Sequence, residues 1–323
     1  MAKAILYGFG RVCVNGIHMA GAAKALYETE VTAKSRSGQV VSESCTTNTV
    51  QIGSVKIGPD APLLIIGGPC AIESRELCLQ IGGALREKCA ELGQGYIFKA
   101  SFDKANRSSI DSGRGLGVDE GLRIMDDVRR ELDVPVTSDI HEASQATVAA
   151  QVVDLLQIPA FLCRQTDLLT AAAGTGKPVN VKKGQFLSPG EMTGAIRKIH
   201  QGANAAGVVC GGIVLTERGT FFGYHRLVND FAGLADMMEL GWPVCFDVTH
   251  STQRPGEGPT TGGQPHHAPL LGQCAVAAGV SALFIETHPE PANAISDAAT
   301  MLPLDTTIGL LDRLARIRQA CTD

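Results

Sequence analysis

Basic side chains that could bind anions stand directly after several short apolar runs of this sequence. The chain has 323 residues and is acidic overall, with 28 Lys and Arg against 33 Asp and Glu and a net charge of −5. Arginine forks and lysine ammonium groups are the usual partners of phosphates and carboxylates. Their grouping therefore predicts a substrate, or a pair of substrates, that carries several negative charges. The cations are Lys99, Lys104, Arg107, Lys182 and Arg218.

A second set of residues has the side chains of a metal site, namely Cys70, His250, Glu286 and Asp297. A thiolate, an imidazole and two carboxylates together suit a borderline or hard divalent metal such as Zn²⁺, Fe²⁺ or Mn²⁺. The four residues form no short ligand-spacing motif, so spacing alone favours a small buried cysteine over a ligand. The adjacent pair His266-His267 is interpreted as exposed loop residues. Alternatively, the Gly/Pro-rich stretch 254–269 that contains the pair is a mobile lid of the active site.

The elements that must position these residues are short apolar runs, which alternate eight times with amphipathic stretches. We expect strands at Leu63–Ile66, Tyr96–Lys99, Val136–Ser138, Leu155–Ile158, Val179–Val181, Ile213–Leu215, Val244–Phe246 and Ala282–Ile285. We expect helices at about Arg75–Leu92, Asp119–Leu132, Glu142–Ala150, Thr166–Ala173, Pro189–Gly202, Leu227–Leu240, Leu270–Ala278 and Asp305–Ala320. This alternation predicts a (β/α)₈ TIM barrel. A doubly wound open sheet is the structural alternative, although no glycine-rich phosphate fingerprint opens its first helix.

Every predicted strand runs into a polar or ionisable residue. The third strand ends at Asp139, with His141 beyond it, and the fourth is bounded by Gln157. Active sites of such barrels lie at the carboxyl ends of the strands. The cations and the metal-capable residues are therefore expected to converge at one end of the barrel.

The first 48 residues differ from the rest because they have no clear helical or strand period. We predict an N-terminal extension over 1–48 and a barrel domain over 49–323 that begins with a β-hairpin at 50–57. The extension is interpreted either as an appended, flexible segment or as an artefact of start-site choice.

Composition excludes several classes of protein. A chain with 44% hydrophobic residues can bury a core and is not generally disordered. The negative charge argues against nucleic acid as a partner. No apolar run approaches the roughly 18 residues of a membrane span, and the N-terminus lacks the apolar stretch of a secretory signal. The ten cysteines include no CxxC pair, which favours reduced thiols in a cytoplasmic protein.

Several motifs resemble those of 3-deoxy-D-manno-octulosonate 8-phosphate synthases, and the resemblance covers about residues 50–320. The long run from Phe98 to Ser109, Phe-Lys-Ala-Ser-Phe-Asp-Lys-Ala-Asn-Arg-Ser-Ser, is the most specific of them. The others are Gly67-Gly68-Pro69-Cys70-Ala71-Ile72-Glu73-Ser74, Gln157-Ile158-Pro159-Ala160-Phe161, Asn180-Val181-Lys182-Lys183-Gly184-Gln185-Phe186, Thr216-Glu217-Arg218-Gly219, Asp247-Val248-Thr249-His250 and Phe284-Ile285-Glu286-Thr287-His288-Pro289.

The resemblance implies a cytoplasmic homotetramer that condenses phosphoenolpyruvate with D-arabinose 5-phosphate and makes a precursor of lipopolysaccharide-type sugars. It implies the metal-dependent branch of the family, in which a cysteine stands where the other branch has asparagine, and no organic cofactor. The implied metal ligands are Cys70, His250, Glu286 and Asp297. The implied phosphoenolpyruvate site is Lys99, Ser101, Lys104, Gln157, Lys182 and Arg218, and Asp139 joins the substrate-binding set. The implied pentose-phosphate site, part of which a neighbouring subunit supplies, is Asn106, Arg107 and Ser108. The residues expected to act in catalysis are Lys99, Lys104, His250 and Asp297.

Three other functions are alternatives to this one. A 3-deoxy-D-arabino-heptulosonate 7-phosphate synthase would use erythrose 4-phosphate, but such enzymes carry Lys-Pro-Arg-Thr where Lys104-Ala105-Asn106-Arg107-Ser108 stands in this chain. A dehydrogenase is suggested faintly by the runs 7–11 and 44–48, which leave no room between them for a dinucleotide-binding domain. A catalytically dead barrel would have lost substrate or metal positions, whereas this chain retains all of the implied ones.

Overall fold

A computed structural model of the chain describes residues 47–105, 114–256 and 262–322. Eight parallel strands form a ring in which each strand pairs with the next along the chain. The ring is closed because the last strand pairs with both the first and the seventh. The closure confirms the predicted (β/α)₈ barrel, since an open sheet would have two edges. The strands are β3 (Leu64–Gly68), β4 (Gly95–Lys99), β5 (Val136–Asp139), β6 (Leu155–Ile158), β7 (Val179–Lys182), β8 (Ile213–Glu217), β9 (Val244–Asp247) and β12 (Ala282–His288).

A helix follows each of these strands, as predicted. The helices are α1 (Arg75–Glu91), α2 (Val118–Leu132), α3 (Gln145–Ala149), α4 (Thr166–Gly174), α5 (Thr193–Ala206), α6 (Phe231–Met238), α7 (Ala268–Ala277) and α8 (Leu304–Thr322). Helix α6 begins later than predicted because the carboxylate of Asp230 caps it, accepting from Gly233 N at 3.1 Å. Helix α3 is short because the side chain of Gln145 accepts the backbone N–H of His141 and holds the preceding residues in a turn.

The strands bury side chains on both faces, and so they divide the apolar core into two layers. Leu64 and Ile66 point into the barrel and pack with Ile97 and Phe284. Their neighbour Ile65 points outward and packs against the helices. The inner layer is apolar toward the amino ends of the strands and becomes polar toward their carboxyl ends, where the lysines and carboxylates lie. The polar end of the interior is therefore the end at which chemistry can take place.

A hairpin closes the opposite end of the barrel. Its strands are β1 (Val50–Ile52) and β2 (Val55–Ile57), which pair antiparallel as predicted. Val50, Ile52 and Ile57 are buried with the inner core layer. Gly53 turns the chain with a φ of +53°, a conformation that glycine adopts readily. Because this apolar plug seals the amino ends of the strands, a substrate must enter from the carboxyl ends.

Three further short strands belong to loops. Strands β10 (Gln253–Arg254) and β11 (Gly262–Gly263) pair with each other in the loop after β9, and β13 (Leu302–Pro303) extends the sheet beside the end of β12. Among the described residues, no helix is both long enough and apolar enough to cross a bilayer.

Some sequence predictions fall on other parts of the chain. The described residues begin at 47. The predicted extension over 1–48 and the dehydrogenase-like runs 7–11 and 44–48 therefore lie outside them, apart from residues 47 and 48. The same holds for Asn106, Arg107 and Ser108 and for 257–261 of the predicted lid. The domain boundary therefore stays a prediction.

Candidate active site

The side chains at the carboxyl ends of the barrel strands form a buried cluster of opposite charges. Lys99 and Glu286 are each 1% exposed, and Lys182 and Asp247 are also buried. A buried charge is costly unless it is paired and hydrogen-bonded, so each of these groups must have found a partner. The ion pairs connect the cationic residues with the metal-capable residues, which are separate groups in the sequence.

Three of the four predicted metal ligands lie together. One ligand atom each from Cys70, Glu286 and Asp297 can be chosen so that all lie within 4.8 Å of one another. The Cys70 thiol donates to Asp297 Oδ2 at 2.9 Å and lies 3.1 Å from the Ser296 hydroxyl. Burial, reinforced by the charges of Asp297 and Glu286, raises the pKa of the Cys70 thiol well above its ordinary value. With no metal ion bound, this cysteine is therefore a neutral thiol.

The fourth predicted ligand, His250, faces this cluster through one ring nitrogen. His250 Nε2 lies 3.6 Å from Glu286 Oε2 and 4.0 Å from Asp297 Oδ2. The other nitrogen, Nδ1, lies 2.8 Å from Asp247 Oδ2. Burial acts to raise the pKa of Asp247, but the charges of His250 and Lys182 outweigh it and hold the pKa well below its usual range. The ionised carboxylate can only accept, so Nδ1 carries a proton.

The donor atoms of this cluster fit a divalent cation. Glu286 Oε2 is buried and has no hydrogen-bond partner among the described groups. Because Nδ1 faces Asp247, deprotonation of the ring leaves a lone pair on His250 Nε2, which lies near the carboxylates of Glu286 and Asp297. Acceptors that face one another in a buried space repel unless a cation lies between them. Histidine that donates its other N–H to a carboxylate is also the usual arrangement around metals in proteins.

Backbone geometry at Asp297 supports a special role for its side chain. Asp297 has a φ of +50°, in the left-handed region that residues other than glycine seldom adopt. The turn is held by its carbonyl oxygen, which accepts from Thr300 N at 2.9 Å and from Met301 N at 3.2 Å. The result is a carboxylate aimed at Cys70, which is 227 positions away in the sequence.

Two predicted substrate-binding lysines are bonded to the acidic residues. Lys99 Nζ donates to Glu286 Oε1 at 2.5 Å and to the carbonyl oxygen of Cys70 at 2.7 Å. Lys182 Nζ donates to Asp247 Oδ2 at 2.5 Å and lies 3.4 Å from the ring centroid of Phe284. The cationic group and the metal-capable group therefore form one connected site.

Two further cations face the same space. The guanidinium of Arg218 donates to Gln253 through Nη2, whereas Nη1 is buried without a hydrogen-bond partner in the described part of the chain. Burial acts to lower the pKa of Lys104, but the acidic groups around it, among them Asp139 and Glu286, hold the pKa well above its ordinary value. Lys104 therefore stays charged, and Arg218 has a donor free for an anion.

The other predicted substrate-binding residues sit in hydrogen-bonded networks. Ser101 Oγ donates to Asp139 Oδ1 at 2.5 Å. Gln157 accepts from Asn180 Nδ2 at 3.1 Å, and Asn180 accepts from the Thr216 hydroxyl at 2.6 Å. Sequence reasoning assigned no role to Asn180 or Thr216. An amide in the middle of the apolar strand β7 is the signal that could have identified this network.

Lys183, which directly follows the last residue of β7, contacts the loops and not the site. Because side chains alternate along a strand, Lys183 points away from Lys182 and lies 3.3 Å from Glu217 Oε2. It also donates to the carbonyl oxygen of Leu187 at 3.0 Å. Glu217 Oε1 accepts the backbone N–H groups of Arg218 and Gly219 at 2.9 and 2.6 Å. This buried pair therefore ties together the loops that follow β7 and β8.

The histidine pair contributes no metal site to the described structure. His266 is exposed at the turn before α7, and its ring centroid is 4.1 Å from that of His267. Within the described ranges, the group around Cys70 is the only cluster of three or more potential metal ligands. His266 is exposed as predicted, whereas His267 is half-buried, and both belong to a short 3-10 helix, Pro265–His267.

Exposed aromatic side chains flank the mouth of the barrel in the loops after β6, β7 and β8. Phe222 is 98% exposed and Tyr224 is 93% exposed, and Phe161 and Phe186 are also exposed. Phe186 and Phe222 line a cleft of about 590 Å³ together with Phe221 and Phe231. Such a group of exposed rings is unusual on a surface that faces only water.

Comparison with known proteins gives consistent matches over most of the chain. The model of the DAHP synthetase I family matches residues 30–321. A protein of Bordetella bronchiseptica is 52% identical over 262 residues, which are 81% of this chain and 92% of that protein. A protein of a Cyanothece strain is 50% identical over 267 residues, 82% of this chain and 96% of its own length. A third, from Dechloromonas aromatica, is 51% identical over 264 residues, covering 81% and 94%. All three are named 2-dehydro-3-deoxyphosphooctonate aldolase.

Proposed function

The chain belongs to the DAHP synthetase I family, and from this premise we propose that it condenses phosphoenolpyruvate with D-arabinose 5-phosphate and water. The products are 3-deoxy-D-manno-octulosonate 8-phosphate and inorganic phosphate. The enzyme is a transferase that forms a carbon–carbon bond, and its product is a precursor of lipopolysaccharide-type sugars. The observation that carries this proposal is the single buried site in which Lys99 and Lys182 are bonded to Glu286 and Asp247.

Phosphoenolpyruvate is assigned to the cationic part of the site. Its carboxylate and phosphate require several positive groups when they are buried, and the unpaired N–H of Arg218 can donate to one of them. Binding two anionic substrates side by side costs repulsion, which the cations offset. The residues proposed to hold phosphoenolpyruvate are Lys99, Ser101, Lys104, Gln157, Lys182 and Arg218. Those proposed for the pentose phosphate are Asn106, Arg107 and Ser108, and Asp139 is proposed as a further substrate-binding residue.

Orientation supplies much of the catalysis in this proposal. The cations hold phosphoenolpyruvate so that its methylene carbon faces the aldehyde carbon of the open-chain sugar, which makes the step effectively unimolecular. The new bond forms between these two carbons, and the aldehyde oxygen takes a proton. Lys104, which its acidic neighbours keep protonated, can donate to that oxygen. Water then adds to the carbon that bears the phosphate oxygen and gives up one proton, which restores Lys104. The resulting hemiketal phosphate collapses: the bond between this carbon and the phosphate oxygen breaks, the new hydroxyl becomes the keto group, and its proton leaves with the inorganic phosphate.

The metal ligands are assigned to Cys70, His250, Glu286 and Asp297. A divalent ion such as Zn²⁺, Fe²⁺ or Mn²⁺, when bound, supplies Lewis acidity for activating water or for orienting the aldehyde. His250 and Asp297 then act mainly as holders of this centre, since a ligated imidazole has one nitrogen less for proton transfer. No organic cofactor is needed for the reaction.

We also propose a homotetramer in the cytoplasm. The exposed rings around Phe222 and Tyr224 suit a surface that another subunit covers. Eight cysteines in the described part of the chain are free thiols, which suits a reducing compartment.

Release of inorganic phosphate from purified protein tests the reaction. Phosphoenolpyruvate with D-arabinose 5-phosphate should give rapid release, and phosphoenolpyruvate alone should give little. Erythrose 4-phosphate, the aldose of the heptulosonate alternative, serves as the matched comparison. A preference for erythrose 4-phosphate would rule out the proposed substrate.

Chelation tests the metal. Exhaustive removal of divalent ions should abolish phosphate release, and adding Mn²⁺, Fe²⁺ or Zn²⁺ should restore it to differing degrees. The reason is that the four ligand side chains cannot supply Lewis acidity without the ion. Full activity after chelation would place the chain outside the cysteine-containing branch.

A further inference from the structure

One carboxylate oxygen of Asp247 serves two different parts of the site. Asp247 Oδ2 accepts from Lys182 Nζ at 2.5 Å and from His250 Nδ1 at 2.8 Å. Its other oxygen, Oδ1, accepts the backbone N–H of His250 at 2.9 Å. Asp247 itself ends strand β9 and is fully buried. Asp247 is not one of the three residues of the ligand cluster, which are Cys70, Glu286 and Asp297.

We propose that Asp247 is a positioning residue that orients the anion-binding Lys182 and the metal-facing His250 together, so that substrate binding and metal binding depend on the same carboxylate. This inference rests on the function proposed above, in which Lys182 holds phosphoenolpyruvate and His250 holds the metal.

The histidine depends on Asp247 for both its tautomer and its orientation. A carboxylate that accepts from Nδ1 keeps the proton there and leaves the Nε2 lone pair for the cluster. The backbone N–H of His250 also donates to Asp247 Oδ1. This bond fixes the short turn after β9 and therefore the place from which the ring extends. Without the carboxylate, the neutral imidazole could place its proton on Nε2, which would then point at the cluster as a donor.

The lysine depends on Asp247 because its own side chain is flexible. Four rotatable bonds connect Nζ of Lys182 to the strand, and only fixed partners can hold the ammonium group at one point. Those partners are Asp247 and the face of the Phe284 ring. Since Lys182 and His250 share one oxygen, loss of its charge must disturb both contacts.

A matched control lies on the neighbouring strand. Glu217 is also a buried carboxylate at a strand end and is also paired with a lysine, Lys183. It contacts backbone N–H groups of its own loop and none of the four metal-capable side chains. Neutralising Glu217 therefore imposes the same kind of charge loss without disturbing His250.

Equilibrium dialysis of the full chain with Mn²⁺ measures the first half of the proposal. In Asp247→Asn, the side chain loses its charge and an NH₂ group replaces one of the two carboxylate oxygens. That NH₂ group then faces either the backbone N–H of His250 or both Lys182 Nζ and His250 Nδ1. Mn²⁺ affinity should fall by at least about tenfold, as for other carboxylates that support a metal-bound histidine. Affinity of Glu217→Gln for Mn²⁺ should stay within about twofold of the wild type. Unchanged Mn²⁺ affinity in folded Asp247→Asn, or an equal loss in Glu217→Gln, overturns the proposal.

Dialysis with labelled phosphoenolpyruvate measures the second half. Its dissociation constant should rise about tenfold or more in Asp247→Asn, the size expected when a charged group loses its fixed position. Lys182→Met should weaken phosphoenolpyruvate binding but keep Mn²⁺ binding, because Asp247 then serves His250 alone. A Lys182→Met variant that loses Mn²⁺ as strongly as Asp247→Asn contradicts the proposed division of roles.

A second variant covers a failure to fold. Asp247→Asn leaves the Lys182 ammonium buried without its counter-charge, whereas Lys182→Met/Asp247→Asn removes both charges. The double variant should fold and should bind Mn²⁺ as weakly as is expected for Asp247→Asn. If the double variant binds Mn²⁺ with wild-type affinity, the proposal is overturned. These measurements need no aldose, so a failure of the proposed reaction appears separately, as absent phosphate release.

Discussion

At the scale of single residues, the site works by leaving selected polar atoms without partners. Most buried polar atoms in proteins are hydrogen-bonded, and the exceptions mark places where something else belongs. Among the described residues, Glu286 Oε2 and Arg218 Nη1 are two of these exceptions. The first lies 3.6 Å from His250 Nε2, and the second belongs to a guanidinium that donates to Gln253 through Nη2. The two orphaned atoms have opposite chemistry, which matches a cation on one side and an anionic substrate on the other.

Arg218→Lys tests the anionic side. A lysine keeps the charge but replaces the two separated Nη atoms by a single ammonium nitrogen, which would have to reach both Gln253 and the substrate from one point. We expect KM for phosphoenolpyruvate to rise about tenfold or more, with KM for the aldose changed less. Steady-state kinetics with each substrate varied in turn measures this. The surface variant Arg123→Lys on α2 is the control, and an unaltered KM for phosphoenolpyruvate in Arg218→Lys would contradict the assignment.

Thiol reactivity tests the charge states of the buried cysteines. Burial raises the pKa of Cys78 and of Cys89 to about 12, so at about pH 8 almost none of either is the reactive thiolate. Iodoacetamide should modify exposed Cys321 in the native protein and should reach Cys78 and Cys89 only after unfolding in urea. Peptide mass spectrometry distinguishes the sites. Rapid labelling of Cys89 in the folded protein would show that this part of α1 opens readily.

At the scale of elements, the barrel separates stability from chemistry along each strand. The hairpin β1–β2 and the inner apolar layer occupy one end, and the charged groups occupy the other. Substitutions in the hairpin should therefore affect unfolding without altering what the site binds.

Ile57→Ala measures the contribution of the hairpin. The side chain is fully buried in the inner layer, so its truncation should lower the free energy of unfolding by about 2–4 kcal/mol. Urea unfolding followed by circular dichroism measures the loss, and Lys56→Ala on the exposed face of the same strand is the control. Equal stability of the two variants would mean that the plug is not tightly packed.

The Lys183–Glu217 pair makes a prediction about the loops that follow β7 and β8. Lys183→Met leaves the Glu217 carboxylate buried beside an apolar side chain and should destabilise the protein by about 3 kcal/mol or more. Lys183→Met/Glu217→Gln should recover part of that loss because no unpaired charge remains. A double-mutant cycle in thermal unfolding measures the interaction. If the double variant is as unstable as the sum of the single ones, the two side chains do not act as a pair.

At the scale of the whole molecule, a closed ring of strands is completed within the described residues. A chain that begins at residue 47 retains Asn48, whose side chain donates to the carbonyl oxygen of Gly241 at 2.7 Å. We expect this shortened chain to fold and to release phosphate at the rate of the full chain. A turnover assay beside the full chain tests it, and loss of activity with an intact circular dichroism spectrum would give the first 46 residues a role in the site.

The sequence by itself determined the repeating units of the fold. Eight apolar runs, each followed by an amphipathic stretch, specify parallel strands and covering helices, because the period of apolar residues records which side of each element is buried. The hairpin was also predictable, since its apolar alternation turns at a glycine. The ends of the helices were less predictable from the sequence. Asp230 and Gln145 decide where α6 and α3 begin through side-chain bonds to backbone, which periodicity does not record.

The positions of the charged residues at strand ends were equally predictable, but their partners were not. Cys70 and Asp297 meet across 227 positions because the ring closes between β12 and β3. Lys182 and Asp247 meet across 65 because β7 and β9 both pair with β8. Lys182 and Lys183 are neighbours with the same side chain, yet the pleat of β7 sends one to the site and the other to Glu217. The shared oxygen of Asp247 was likewise decided by tertiary structure alone, because a hydrogen-bond partner is a matter of a few tenths of an ångström in space, and sequence order carries no such distance.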